Sequence, residues 1–213
     1  MLPPAHLAIG YLAYSSYTRV RGRTPTSLGA LFVVVGAMFP DIIDKPLQWS
    51  GLLIDGRTAG HSLLIGGPIV FLVGLWLYRR TGDGDALVAL CASWLLHPIA
   101  DGINYPFQGT VGTDFEELSF VVWPVEISGP AVVELLSFNQ TVATLMAQKP
   151  EWAATNLPSG PDLRSALLLF QLCVTGVAAV VWIWDGGPGL SLVRTATVVL
   201  TTPRNDPELS TCR

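Results

Sequence analysis

Charge is what this sequence has least of. Only 13% of its 213 residues are Asp, Glu, Lys or Arg, about half of the roughly 25% usual in soluble domains. Lysine is nearly missing, with 2 against 10 arginines. A net charge of −4 is mild and argues against nucleic-acid binding, so no nucleic-acid partner is expected. The three cysteines, Cys91, Cys173 and Cys212, show no paired spacing. A disulfide framework is thereby excluded, and Cys91 and Cys173, inside apolar runs, read as small hydrophobes. There is no internal repeat and no low-complexity tract. The start, MLPPAHLAIG, lacks the basic residues and cleavage site of a secretory signal and reads as mature chain.

Half of the residues are hydrophobic, and they come in blocks. Charge is absent from 1–18, 24–40, 61–78, 86–100 and 165–184. A transmembrane helix takes roughly 17–25 mostly apolar residues. The second, third and fifth blocks meet that outright; the first and fourth meet it if their polar ends reach the interface. The pattern predicts an all-α fold, a polytopic membrane helical bundle of about five transmembrane helices. It forms a single membrane-embedded domain over 1–213: a core of 1–105, an outer segment of 104–164, a last span at 165–184 and a cytoplasmic tail of 185–213. In the outer segment, which carries Asp114, Glu116, Glu117, Glu126 and Glu134, residues 128–150 have Pro130 early. Leu135, Phe138, Val142, Leu145 and Met146 then recur at helical spacing. An outer amphipathic helix, lying on the membrane or packed on the bundle, is expected there. The sequence DGGPG at 185–189 ends the last span.

Orientation follows from the basic residues. Arg19, Arg21, Arg23, Arg79, Arg80, Arg194, Arg204 and Arg213 all fall on one side of a five-span chain, 8 of the 12 cations. The positive-inside rule puts that side in the cytoplasm, the N-terminus outside and the C-terminus inside a multi-pass protein of the plasma membrane. Lys45, Arg57, Lys149 and Arg164 then lie outside.

The same assignment gathers the polar residues of the core. His6 opens the first span, Asp41 and Asp44 close the second, His61 opens the third, and His97 and Asp101 close the fourth. All three histidines of the chain and three carboxylates thus fall at the outer helix ends. His97 and Asp101 at i,i+4 share one helix face, as do Asp41 and Asp44 at i,i+3. Imidazole nitrogen with carboxylate oxygen is a ligand mix for zinc, manganese or iron. Three carboxylates at the bilayer centre would cost roughly 7–10 kcal/mol on insertion scales; helix ends and a divalent ion both relieve that cost. The plainer alternatives are a salt bridge of Asp44 with Lys45, and Asp101 capping a turn with Gly102 and Asn104. Clean span centres such as LFVVV and IVFLVGLWL speak against a transporter.

AHLAIGY, FPDIIDKP, GRTAGHSLL and LLHPIADGI, with VVWP at 121–124, resemble the membrane-bound metal-dependent hydrolase family, YdjM-like, and especially its haloarchaeal-type members. More distantly, the order of ligands is similar to zinc-dependent phospholipase C and the single-strand nucleases. That resemblance implies metal ligands at His6, at Asp41 or Asp44, and at His61, His97 and Asp101, with Asp101 able to bridge two ions. Where bacterial members read HRGxTHS, this chain has Gly56 for the first His and Gly60 for the Thr, and no histidine follows His97. One or two ions, zinc by preference, are therefore expected. A bound zinc ion acidifies its water to a pKa of about 7, and a spare carboxylate of Asp41 and Asp44 would act as general base or orient an imidazole. Arg57 and Ser62 are the expected supporting residues, Arg57 for a phosphate. The expected activity is hydrolysis of a phosphoester or lipid-linked substrate at the outer face; the alternative is a non-catalytic membrane protein with a structural metal or polar cluster, or an ion-handling one.

Overall fold

The computed structural model describes residues 1–53, 56–104, 120–125 and 161–191. The expected amphipathic helix, the acids from Asp114 to Glu134, Lys149, Cys212 and the tail beyond 191 lie outside them. Among the described residues there are five helices and no strand: α1 (Pro3–Val20), α2 (Ser27–Trp49), α3 (Gly66–Thr81), α4 (Gly84–Asn104) and α5 (Pro161–Trp184). The five uncharged blocks each fall within or across one helix. Two of the helices, Ser27–Trp49 and Ser165–Trp184, are long and apolar enough to cross a membrane.

Local chemistry sets most of the ends. Pro3 begins α1, where a fixed φ suits the first turn. Gly22, at φ 66°, turns the chain out of it. Thr26 caps α2, its Oγ1 accepting from the Gly29 N–H at 3.0 Å. At the end of α3, Gly82 takes φ 72° and donates to the Tyr78 carbonyl at 2.8 Å. Past α5, Gly186 and Gly187 adopt positive φ and donate to Ile183 and Trp182, so DGGPG ends the helix as its sequence predicts.

Two boundaries differ from expectation. Asp41 and Asp44 do not close α2, which runs on through Pro40 and Pro46 to Trp49. Each proline removes one intrahelical N–H, but tertiary packing holds the segment helical. Gly60 lies against the Pro40 backbone, where an added Cβ would come within 2.7 Å of the carbonyl oxygen. The Ala37 carbonyl, one turn back, accepts from His97. Likewise His61 does not open α3 but sits in the turn before it. Ser62 Oγ accepts from the Leu64 and Ile65 N–H groups at 3.0 and 3.3 Å, which fixes the helix start downstream of the histidine.

Helices α2 and α4 form the central pair; α1 packs on both, α3 on α4, and α5 on α1. Tyr11, Tyr14, Val33 and Ala89 fill one side of the core, Val70, Leu90 and Trp94 the other. Close approach rests on glycine. A Cβ on Gly36 would collide with the Leu90 carbonyl oxygen of α4, an obstacle that backbone cannot move aside. Gly36→Val is therefore expected to lower the thermal unfolding midpoint in detergent, at a cost of about 1–3 kcal/mol for overpacking; an unchanged midpoint would show that the two helices do not meet there.

Outward, α2 exposes Leu31, Val34 and Val35, α3 exposes Phe71, Leu72 and Trp76, and α5 exposes Leu169, Phe170 and Leu172. Asp185 ties α5 to α1 at the end away from the histidines. Its buried carboxylate accepts from the Tyr11 and Ser15 hydroxyls, each at 2.7 Å, and pairs with Arg19.

Candidate metal centre

At the other end of the bundle the three histidines meet. The His6 and His97 rings stack with centroids 3.7 Å apart, and His61 approaches His97 edge-on at 5.0 Å. All three are buried, to 3%, 0% and 1% exposure for His6, His61 and His97.

Their hydrogen bonds decide which nitrogens are available. His97 Nδ1 lies 2.6 Å from the Ala37 carbonyl oxygen. A carbonyl only accepts, so Nδ1 carries the proton and the lone pair is on Nε2. His61 Nδ1 lies 2.7 Å from Asp44 Oδ2, and the same logic leaves the His61 lone pair on Nε2. Neither Nε2 has a hydrogen-bond partner among the described residues. A buried unsatisfied polar atom costs about 1–3 kcal/mol, and here two such atoms face the same carboxylate. Asp41 Oδ1 is 3.9 Å from His61 Nε2, and Asp41 Oδ2 is 3.9 Å from His97 Nε2. Asp101 Oδ2 is also 3.9 Å from His61 Nε2, while its Oδ1 is 3.2 Å from His6 Nε2.

These distances admit an ion. Two ligand atoms each about 2.1 Å from one metal stand no more than about 4.2 Å apart. Asp41, His61 and His97 form one group of ligand atoms within 4.8 Å of one another; His6, His97 and Asp101 form a second. The groups share His97, which has a single free nitrogen, so both cannot be filled through it at once.

Asp44 belongs to neither group. It is completely buried and accepts five hydrogen bonds: from the Thr58 N–H at 2.8 Å and hydroxyl at 3.2 Å, the Gly60 N–H at 2.9 Å, and the His61 N–H at 3.3 Å and ring Nδ1 at 2.7 Å. Its geometry is that of the carboxylate behind a ligating histidine, which fixes the ring and raises its basicity. Of the two roles open to the spare carboxylate, orienting an imidazole is the one Asp44 occupies. Lys45 pairs with Asp41, at 3.7 Å, rather than with Asp44. Asp101 does not cap a terminal turn, since α4 continues to Asn104.

Arg57 donates from Nε to Asp101 Oδ2 at 2.8 Å, and the Met1 amine lies 2.7 Å from Oδ1. Ser62 is fully buried. Besides bracing the turn before α3 it donates to the Trp123 carbonyl at 2.6 Å, and the Leu63 N–H donates to the Val121 carbonyl at 2.7 Å. VVWP is thereby fastened to the histidine turn, and Phe120 packs edge-on to His61 at 5.9 Å. The residues hardest to anticipate were Thr58 and Gly60, which clamp Asp44 mainly through backbone N–H groups, and the Ala37 carbonyl. Trp94 carried a readable signal, three residues before His97 on the same face; its Nε1 donates to the Gly60 carbonyl at 3.0 Å.

No curated protein and no solved structure matches the chain. One family model does, over residues 1–184, and the chain accordingly belongs to the family described as YdjM inner membrane protein.

Proposed function

We propose that this protein is a multi-pass membrane protein that binds one divalent ion, preferably zinc, and uses it to hydrolyse a phosphoester or lipid-linked bond at the non-cytoplasmic face. The observation that carries the reading is the pair of buried imidazole nitrogens, on His61 and His97, each 3.9 Å from an Asp41 oxygen and without a hydrogen-bond partner among the described residues. His61, His97 and Asp41 would hold the ion, with Asp101 and His6 beside them. A bound divalent cation supplies Lewis-acid polarisation and acidifies coordinated water, the chemistry of metal-assisted hydrolysis. The chain's own share is orientation and proton transfer. Asp44 fixes the His61 ring and Arg57 fixes Asp101. Asp41, with 27% of its side chain exposed against 0% for His61 and His97, is the carboxylate open enough to take a proton from water.

The five-span topology completes the reading. The apolar outer faces of α2, α3 and α5 would lie in lipid, the arginines at 19–23 and 79–80 in the cytoplasm, and the histidine end outside. A single-cysteine label at residue 21 is expected to react only from the cytoplasmic side, and one at residue 52 only from the opposite side; the reverse pattern would invert the proposed orientation.

A structural ion is the competing reading, and the near-complete burial of the rings favours it. The two part on turnover. Purified protein loaded with zinc is expected to release phosphate or alcohol from phospholipid esters, and to stop on chelation. Full metal content with no turnover across lipid phosphoesters would favour the structural ion.

A further inference from the structure

The centre opens toward one side, where it carries two cationic side chains, Lys45 and Arg57. Side-chain exposure rises from 0–6% at His6, His61, His97 and Asp101 to 22% at Arg57, 27% at Asp41 and 37% at Lys45. The loop bearing Arg57 lies over the turn of α2 that bears Lys45. A Cβ on Gly56 would stand 3.3 Å from Lys45 Nζ and against the Gln48 amide oxygen. A side chain at 56 would collide with Gln48 and crowd Lys45, so glycine is what lets the loop bearing Arg57 settle against this turn of α2.

We propose that Lys45 and Arg57 form a grip for a phosphate group above the metal centre. The proposal rests on the metal-binding reading and adds what the site recognises. Each cation is paired with one of the two carboxylates that face the free imidazole nitrogens: Lys45 with Asp41 at 3.7 Å and Arg57 with Asp101 at 2.8 Å. With the Met1 amine beside Asp101, these cations balance the charges of Asp41, Asp44 and Asp101, so a divalent ion turns the set net positive. The carboxylates are then shared with the metal, and their hold on Lys45 and Arg57 weakens as the ion's charge offsets theirs. An anion arriving at the mouth meets the ion beneath it, a guanidinium fork on one side and an ammonium on the other. A fork with a point charge is the donor set that suits phosphate oxygens. Along the chain from Asp41 and Lys45, Ile42, Trp49 and Leu52 are 63%, 79% and 73% exposed, apolar surface that suits a phosphate carried on a lipid; free phosphate offers the same oxygens without the tail.

The test uses the full chain, zinc-saturated, in detergent micelles, with calorimetric titration of inorganic phosphate and, separately, of dioctanoyl phosphatidate. The double variant Lys45→Gln/Arg57→Gln, brought to the same measured zinc loading as the wild type, is expected to bind both at least tenfold more weakly. Arg57→Lys, which keeps the charge, is expected to recover most of the phosphate affinity. Tighter binding of phosphatidate than of phosphate by the wild type assigns the grip to a lipid headgroup, and equal binding assigns it to the free ion. Wild-type affinity for both probes in the double variant overturns the grip. A wild-type protein that takes up no zinc overturns the metal-binding reading instead, a separate result.

Discussion

His97→Ala is expected to abolish divalent-ion retention. Wild-type protein, purified without chelator and resupplied with zinc, should carry about one ion per chain, and the variant less than about a tenth of that. The size of the effect follows from position. His97 is the ligand common to both groups of candidate metal-binding atoms, so no rearrangement among the remaining residues rebuilds either. Its one free nitrogen also limits the wild type to a single ion through that residue. His97→Gln is a useful companion, because it keeps a polar side chain of similar reach and separates loss of a ligand from loss of packing against His6. Two ions per wild-type chain would show that His6 with Asp101 and Asp41 with His61 act as independent sites. Retention in both variants would remove His97 from the ligand set.

Asp44 is the second large effect. Asp44→Asn is expected to weaken zinc affinity by about 10–100-fold, the usual consequence of losing the carboxylate behind a ligating histidine. The amide replaces one acceptor oxygen by an N–H₂ group, which then faces N–H donors from Thr58, Gly60 or His61. Asp44→Ala strips all five hydrogen bonds from a fully buried site and is expected to destabilise the fold by about 3–5 kcal/mol. A competition titration with a zinc indicator reads the first effect, and thermal unfolding in detergent reads the second. An Asp44→Asn protein with wild-type affinity would mean that Asp44 braces the turn and has no part in tuning His61.

Much of this was legible in the sequence, and the reasons differ by residue. Helical periodicity alone put His97 and Asp101 on one face, and both lie in one candidate group. Charge-free blocks located all five helices, because few polar side chains are tolerated where helices pack or face lipid. The roles within FPDIIDKP were not legible. Asp41 and Asp44 have equal chemistry and lie one turn apart on the same face. What separates them is the position of backbone N–H groups at Thr58, Gly60 and His61, delivered by a turn whose shape depends on Gly60 lying against Pro40. Sequence registers the glycine but not the surface it meets. The same holds for Ala37, whose carbonyl becomes a partner for His97 only because α4 packs against this turn of α2. The stretch around Asp41 and Asp44, expected to close the span, instead marks the place where α2 receives α4 and the histidine turn.

Zinc-edge X-ray absorption on the loaded full-length protein bears most directly on the central claim, that the buried imidazoles and acids converge on a metal. The account predicts a shell of nitrogen and oxygen at about 2.0–2.1 Å, with the outer-shell scattering of two or more imidazole rings, lost in His97→Ala. Bound zinc without imidazole scattering, or scattering unchanged in that variant, would contradict it.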